Sequence, residues 1–240
     1  MRVFRGRAET IAADREASER LLEVAAAGEP AVRVWIPHRQ VAFGRRDSRL
    51  EGYDRAREAA GERGFPPVER SVGGRAVAYD GETTIAFARA EPIDDFRRGT
   101  DARYERLTAA VEAALEGLGV DLERGEPDDS FCSGAHSLST ADASGPRKIV
   151  GIAQRVRQDA ALVSGILVVD HRDELAGVLE AVYDELGVPF DPATVGSAAA
   201  AGGPSDPNGI RRKLEAALVG DDRDPLEIET VASDAGGDGR

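Results

Sequence analysis

Apolar positions along the 240 residues switch repeatedly between a helical and a strand period. Over residues 8–27, Ile11, Leu21, Leu22 and Val24 fall on one helical face, and Gly28 and Pro30 stop the helix. Val32-Arg33-Val34-Trp35-Ile36 then alternates with period two until Pro37 ends it, and Gln40-Val41-Ala42-Phe43-Gly44 reads as the neighbouring strand. Residues 50–62 are predicted helical, 64–67 a turn, 68–70 a short strand, 71–75 a glycine turn opening into 76–79, and 83–88 another strand. A long helix over about 100–118 ends at Gly117 and Gly119. Residues 130–140 carry no clear period and 141–146 read as a turn. The runs 148–156 and 161–169 form an expected antiparallel hairpin around Gln158-Asp159. Helices over 173–186 and 208–218 flank a Gly/Ala/Pro/Ser linker at 192–207. Runs of strands separated by single helices predict an α+β domain with mixed or antiparallel sheets flanked by helices, and there is no internal repeat.

Composition narrows the function classes. Lys and Arg total 31 against 44 Asp and Glu, a formal net charge of −13, which counts against nucleic-acid partners because a phosphate backbone demands a positive surface. No apolar run approaches the ~20 residues that a membrane span needs, and Met1-Arg2-Val3-Phe4-Arg5 leads into a charged helix rather than a signal peptide. A cytoplasmic protein without membrane partners is expected. The single cysteine, Cys132, excludes an intrachain disulfide or a Cys-based zinc finger, and three scattered histidines make a metal cage unexpected. Only Lys148 and Lys213 are lysine; the other basic residues are arginine. A carboxylate excess with almost no lysine fits a salt-rich, halophilic cytosol, with drift in a GC-rich genome as the alternative reading.

Four features carry candidate chemistry. Arg70-Ser71-Val72-Gly73-Gly74-Arg75 matches neither a Walker loop nor a dinucleotide loop, but paired glycines let backbone N–H groups approach a ligand, and the flanking arginines suit a carboxylate or phosphate. The bland alternative is a tight hairpin with solvated arginines. Lys148 opens an apolar strand after a Gly-Pro turn, either as a fixed positive charge or as a lysine in water at a strand end. Cys132 lies in the polar run Asp129-Ser130-Phe131-Cys132-Ser133-Gly134, either as a nucleophile or as an inert packed thiol. His136 is too far along a strand to serve Cys132 directly, and His38 and His171 read as loop histidines.

In sequence order these pieces resemble the lipoate–protein ligase A/octanoyltransferase catalytic domain of the biotin/lipoate protein ligase superfamily. The resemblance rests on Phe43-Gly44-Arg45, on Arg70-Ser71-Val72-Gly73-Gly74-Arg75-Ala76-Val77, and on Arg147-Lys148-Ile149-Val150-Gly151-Ile152-Ala153-Gln154 about 75 residues later. It runs from about residue 10 to 190. It implies a class II biotin/lipoate ligase-like catalytic domain over 1–190, followed by a linker and helix over 191–220 and an acidic disordered tail over 221–240. By position it places Arg70, Gly73, Gly74, Arg75, Gly151, Ala153 and Gln154 at the acyl substrate and Lys148 at the family's essential lysine. Three positions depart from the family pattern: Tyr79 and Ser164 stand where histidines are usual, and Ile152 where Ser or Asn is usual. The resemblance puts all three in the acyl pocket.

Two mechanisms share that domain. A ligase uses ATP and Mg²⁺ to form lipoyl-adenylate; a transferase needs no nucleotide and passes octanoyl or lipoyl through a cysteine thioester. Cys132, 16 residues before Lys148, falls near the nucleophile of cysteine-dependent octanoyltransferases, and Gly-Gly-Arg matches their loop. The implied partners are an acyl carrier protein or another acyl donor, and a lipoyl-domain acceptor. That acceptor is a 2-oxoacid dehydrogenase acyltransferase subunit or the glycine-cleavage H protein. A ligase would add a separate accessory chain. A non-catalytic acyl- or lipoyl-domain-binding relative is the third reading. The charge excess makes its own prediction: as screening shortens from ~10 Å at 0.1 M salt to ~3 Å at 1 M, the thermal midpoint rises steadily with KCl into the molar range. A flat melting profile instead marks compositional drift.

Overall fold

Period-two runs assemble into two sheets, and amphipathic helices cover them around three hydrophobic clusters. The computed structural model describes residues 1–70, 74–142, 145–220 and 226–231. The larger sheet is built from β1 (Arg2–Arg5), β2 (Ala31–Trp35), β6 (Ile85–Pro92), β7 (Glu123–Arg124), β8 (Ser137–Asp142), β9 (Gly145–Val156), β10 (Ala160–Leu167) and β11 (Glu227–Thr230). Its order is β11-β1-β2-β6-β10-β9-β8-β7, parallel at β11-β1-β2 and antiparallel beyond. The smaller sheet places β3 (Gln40–Phe43) between β4 (Pro67–Glu69) and β5 (Val77–Tyr79). The expected α+β layout and the β9–β10 hairpin are what the chain adopts.

Strand alternation decides which helix covers which face. Val32, Val34 and Phe87 pack under α3 (Thr100–Glu116) and α5 (Pro207–Val219) through Leu107, Val111, Ile210 and Leu214. Ala88, Ala90 and Leu162 turn to the opposite face and meet Leu21, Leu22 and Ala25 of α1 (Ile11–Ala26). Val41, Phe43 and Val77 of the small sheet pack on α2 (Tyr53–Glu62) and α4 (Arg172–Leu186).

Three expectations change. β2 and β3 are not neighbours: Pro37 has no N–H to extend the ladder, and β3 crosses to the second sheet, pairing with β4 and β5. Residues 192–207 are not a loose connector. Val195 bridges Lys148, the Gly196 N–H donates to the Lys148 carbonyl at 2.8 Å, and Ala198 is fully buried. A Cβ on Gly196 would sit 3.0 Å from Arg147 Cβ, so small residues here serve close approach rather than flexibility. The helix that follows, α5, belongs to the main core. In the acidic tail, β11 pairs in parallel with β1, and Arg2 and Arg20 bridge Glu227 and Glu229. The charges that read as disorder are ion-pair partners of an edge strand. Residues 221–225 and 232–240 of that expected tail lie outside the described residues.

One buried ion pair ties α1 to the sheet. Arg33, with no exposure, donates to Asp14 Oδ1 at 2.5 Å, to the Asp14 carbonyl at 2.8 Å and to Ser18 Oγ at 2.7 Å, while Trp35 Nε1 reaches Asp14 Oδ2 at 2.9 Å. Removing one partner strands the other charge in the interior. Arg33→Met is expected to lower urea-unfolding stability by about 3–5 kcal/mol, and the double variant with Asp14→Leu to lose less than the sum of the two single changes. Additive losses would remove the pair from the stability argument.

Candidate active site

The loop between β7 and β8 carries Cys132 in the left-handed region, φ 46°, three residues after Asp129 at φ 54°. Such backbone costs of order 1–3 kcal/mol and persists only where its surroundings fix it. Here they do. The Cys132 N–H donates to Tyr183 Oη at 2.6 Å, and the Tyr183 hydroxyl donates to the Ala76 carbonyl at 3.0 Å. The Lys148 ammonium donates to the carbonyls of Phe131 and Cys132 at 2.9 and 3.1 Å and to Glu126 Oε2 at 2.8 Å. Glu126 in turn accepts the Gly134 N–H and the Ser137 hydroxyl.

Lys148 is therefore not a strand-end lysine in water: its side chain is fully buried and all three of its protons are engaged. The register of β9 turns it inward, beside the irregularity where β8 shifts at Leu138/Ser139. Its position fits a charge that shapes the Cys132 loop from behind.

The thiol faces two more donors. Arg70 Nη2 lies 3.0 Å from Sγ and the Arg75 N–H 3.4 Å away. Burial pushes the Cys132 thiol up, but the charges of Arg70 and Lys148 and these two hydrogen bonds outweigh it, so its pKa falls below the ordinary thiol value. Burial, and then the nearby sulfur, push the Tyr183 phenol up, so it stays protonated as the donor to Ala76. Glycine is required at this approach. Gly74 has φ 101°, and a Cβ there would lie 2.7 Å from both Cys132 Sγ and Arg70 Nη2. A Cβ on Gly44 would come within 1.9 Å of the Gly74 carbonyl oxygen. Gly73 lies outside the described residues.

A cavity of about 190 Å³ opens beside the thiol, between the α1 side of the large sheet and the small sheet. Val68, Val77, Ala86, Ala88, Leu162 and Ile166 make its lining largely apolar, and Arg70, Cys132, Gly151 and Ala153 line it with them. Tyr79, Ile152 and Ser164 also line it. Burial pushes the Tyr79 phenol up against the pull of Arg70, so the hydroxyl remains a neutral donor.

Two predicted substrate residues are placed differently. Gln154 is turned toward α3, accepting from Arg103 Nε at 2.6 Å and donating to the Thr100 carbonyl at 3.2 Å, because alternation along β9 sends it away from the cavity face of Ala153. Arg75 contributes its backbone N–H to the thiol, while its guanidinium pairs with buried Asp47 at 3.5 Å. Burial raises the Asp47 carboxyl despite the Gly44 N–H and Arg75. The histidines stay away from the thiol. His136 stacks on Tyr104 at 3.6 Å, His38 meets the Ala8 carbonyl and His171 meets Asp80. Sequence reasoning missed Glu126, Asp47 and Tyr183; Tyr183 sits on an ordinary apolar helix face, where no local pattern marks its hydroxyl. Among the described residues no group of three or more His, Cys, Asp or Glu gathers as a metal site, and no helix is long and apolar enough to cross a membrane.

Residues 11–189 match the lipoyl protein ligase A/B catalytic domain. The chain belongs to this family. Among its curated relatives, an octanoyl-[GcvH]:protein N-octanoyltransferase of Kyrpidia tusciae is 36% identical over 147 residues, 61% of this chain and 48% of that protein. A protein of the same name from Geobacillus kaustophilus is 30% identical over 130 residues, 53% and 43% of the two chains. The octanoyltransferase LipM of Moorella thermoacetica is 34% identical over 132 residues, 51% and 48%. The chain thus spans about half the length of the curated relatives it matches. In fold it resembles a lipoate-protein ligase A bound with ATP, with TM-score 0.73 at 19% identity over 96% of this chain and 89% of that one. It also resembles a lipoate protein ligase homologue from T. acidophilum with bound lipoic acid, with TM-score 0.67 at 18% identity over 96% and 89%.

The lowered thiol pKa has a direct readout. Iodoacetamide alkylation of Cys132 is expected to reach half its maximal rate at a pH below the ~8.5 of a free cysteine, and Arg70→Gln to move that midpoint upward while the fold is retained. An unmoved midpoint in Arg70→Gln would remove Arg70 from the control of the thiol.

Proposed function

We propose that the protein is an acyltransferase of lipoate metabolism that carries an octanoyl, or lipoyl, group as a thioester on Cys132. The observation that supports this reading is the thiol itself, held between Arg70 and the Arg75 N–H at the edge of an apolar cavity, with Lys148 behind it. The cavity suits a linear acyl chain, whose burial is favourable by about 0.8 kcal/mol per CH₂.

The Cys132 thiolate attacks the carbonyl carbon of the donor, a new C–S bond forms, and the bond to the donor's sulfur or lysine nitrogen breaks. A thiol donor leaves as thiolate; a lysine donor takes up a proton and leaves as the amine. The neutral amine of an acceptor lysine then attacks the octanoyl-Cys132 carbonyl, the amide forms, its extra proton passes to solvent, and the thiolate is regenerated. From a thioester donor the acyl activation is conserved until the downhill amide forms, and from a lysine donor the uphill step to the Cys132 thioester is returned when the new amide forms, so neither route calls for a nucleotide or metal. The proposed acceptor is a lipoyl-domain protein, either the glycine-cleavage H protein or a 2-oxoacid dehydrogenase acyltransferase subunit. The donor is an octanoylated carrier protein or H protein. Two relatives, named for octanoyl transfer from GcvH to protein, support this assignment. The proposed setting is a salt-rich cytoplasm.

The ATP-dependent ligase reading draws on the likeness to an ATP-bound ligase, which concerns the fold. Adenylation of an acid proceeds without a thiol, and acyl or domain binding alone needs none, so the depressed thiol at the cavity wall supports the transferase reading over both. For Lys148, the engaged ammonium favours a positioning role exerted through the Cys132 loop.

The deciding experiment incubates the protein with octanoyl carrier protein and, separately, with octanoylated H protein, each with an apo lipoyl domain and without ATP. Wild type is expected to show a +octanoyl adduct on Cys132 by mass spectrometry and to acylate the acceptor, and Cys132→Ser to do neither. Because Lys148→Ala releases the loop that positions the thiol, it is expected to slow acylation by about a hundredfold and to raise the alkylation midpoint of Cys132, and Lys148→Arg not to rescue it. Full activity of Cys132→Ser with lipoate and ATP would replace the transferase with the ligase.

A further inference from the structure

The turn after β3 carries an uncompensated positive surface. Residues 44–49 read Gly-Arg-Arg-Asp-Ser-Arg, and Asp47–Arg49 form a single 3-10 turn. Arg45, Arg46 and Arg49 are all exposed, and among the described residues none of the three guanidinium groups has an ion-pair or hydrogen-bond partner. The one carboxylate inside the turn, Asp47, is turned inward and fully buried, taken by the Gly44 N–H at 2.8 Å and by Arg75 at 3.5 Å. Nearby Glu51 acts on Arg55. In a chain of net charge −13, exposed Arg20, Arg55, Arg106 and Arg124 each pair with a glutamate, whereas Arg45, Arg46 and Arg49 are three cations clustered in one turn without a carboxylate partner among the described residues.

Their location gives them a use. Gly44 packs directly on the Gly74 carbonyl, and the next N–H along, that of Arg75, reaches Cys132 Sγ. Asp47 clamps the same Arg75 from the other side. One layer of backbone therefore separates the arginine turn from the thiol, so a protein seated on the turn would bring an acyl-lysine or an acceptor lysine to the Cys132 side of the cavity.

We propose that Arg45, Arg46 and Arg49 form the docking surface for an acidic carrier domain, whose carboxylates lie beside the lysine it presents. The inference rests on the transferase reading for the purpose of the docking. Arginine suits such a surface because its planar fork binds carboxylates bidentately at contact distance, where salt screens least. The acyl chain enters the apolar cavity while the charges around the carrier's lysine are received outside it. Recognition of the carrier and recognition of the chain are thus divided between two places.

The test uses the whole chain with three substitutions together, Arg45→Glu, Arg46→Glu and Arg49→Glu, and as a control Arg212→Glu with Lys213→Glu on α5. Three assays, with binding to duplex DNA and anionic vesicles alongside, are run at one fixed KCl concentration. They are Cys132 acylation by octanoyl-pantetheine, KM and kcat with octanoylated H protein, and the Kd for apo H protein by fluorescence anisotropy. The triple variant is expected to acylate with octanoyl-pantetheine at the wild-type rate, and to show KM and Kd for H protein raised at least about tenfold with kcat little changed. The control is expected to match wild type. Changing the carboxylates around the H protein's lysine to amides should produce the same loss, and the two sets of changes should be non-additive. A Kd for H protein unchanged in the triple variant would overturn the proposal, as would an equal loss for duplex DNA or anionic vesicles, which would mark a general anion surface. If wild type forms no Cys132 adduct from octanoyl-pantetheine, the transferase reading fails, and the Kd comparison still decides whether the turn docks an acidic carrier.

Discussion

A buried ammonium is the constraint on which the rest of this candidate site depends. Lys148 sits on β9 with no solvent access, so each of its three protons must find an oxygen, and the fold supplies Glu126 and the carbonyls of Phe131 and Cys132. Those contacts draw the loop before β8 onto the sheet and hold Cys132 in a backbone conformation that it would not adopt alone. The Lys148 backbone continues outward to Val195 and Gly196, which anchors the connection from α4 to α5 on the same strand. Remove the charge and Glu126 loses its counter-ion while two carbonyls lose their donor. The effect reaches the thiol without the lysine ever touching it.

The parts of this arrangement legible in the sequence are those written in local pattern. The β9–β10 hairpin shows in two apolar runs around Gln158-Asp159, and the close approach at Gly74 shows in a paired glycine. What was not legible depends on which face of an element meets which neighbour. Gln154 follows Ala153 in the same motif, yet one step of strand alternation carries it from the cavity face to Arg103 on α3. Small residues at 192–207 look like a tether, although Gly196 and Ala198 are small because β9 and the segment after β10 lie against them. Glu227 and Glu229 look like tail charge until Arg2 is seen beside them. In each case composition reports the residue and tertiary contact decides its meaning. The family resemblance placed Cys132 and Lys148 together, but that the lysine lies behind the Cys132 loop with its ammonium engaged follows only from its hydrogen bonds.

The electrostatics of the thiol is a balance that the surroundings set finely. Burial alone would leave Cys132 protonated and inert; two cations at full strength in a dry site would make a stable, weakly nucleophilic thiolate, because nucleophilicity falls as pKa falls. Arg70 is placed directly on the sulfur, while Lys148 acts through the loop with its charge shared by Glu126. Arg70 is the larger of the two charges that lower the thiol pKa and Lys148 the next. The same division separates the site from the surface. Arg70 and Lys148 act across distances shorter than a Debye length and inside low-dielectric surroundings, so salt that screens the −13 net charge leaves the thiol's field largely intact. A protein with this charge balance can thus respond to salt in its overall stability while the electrostatic setting of the Cys132 thiol stays nearly constant.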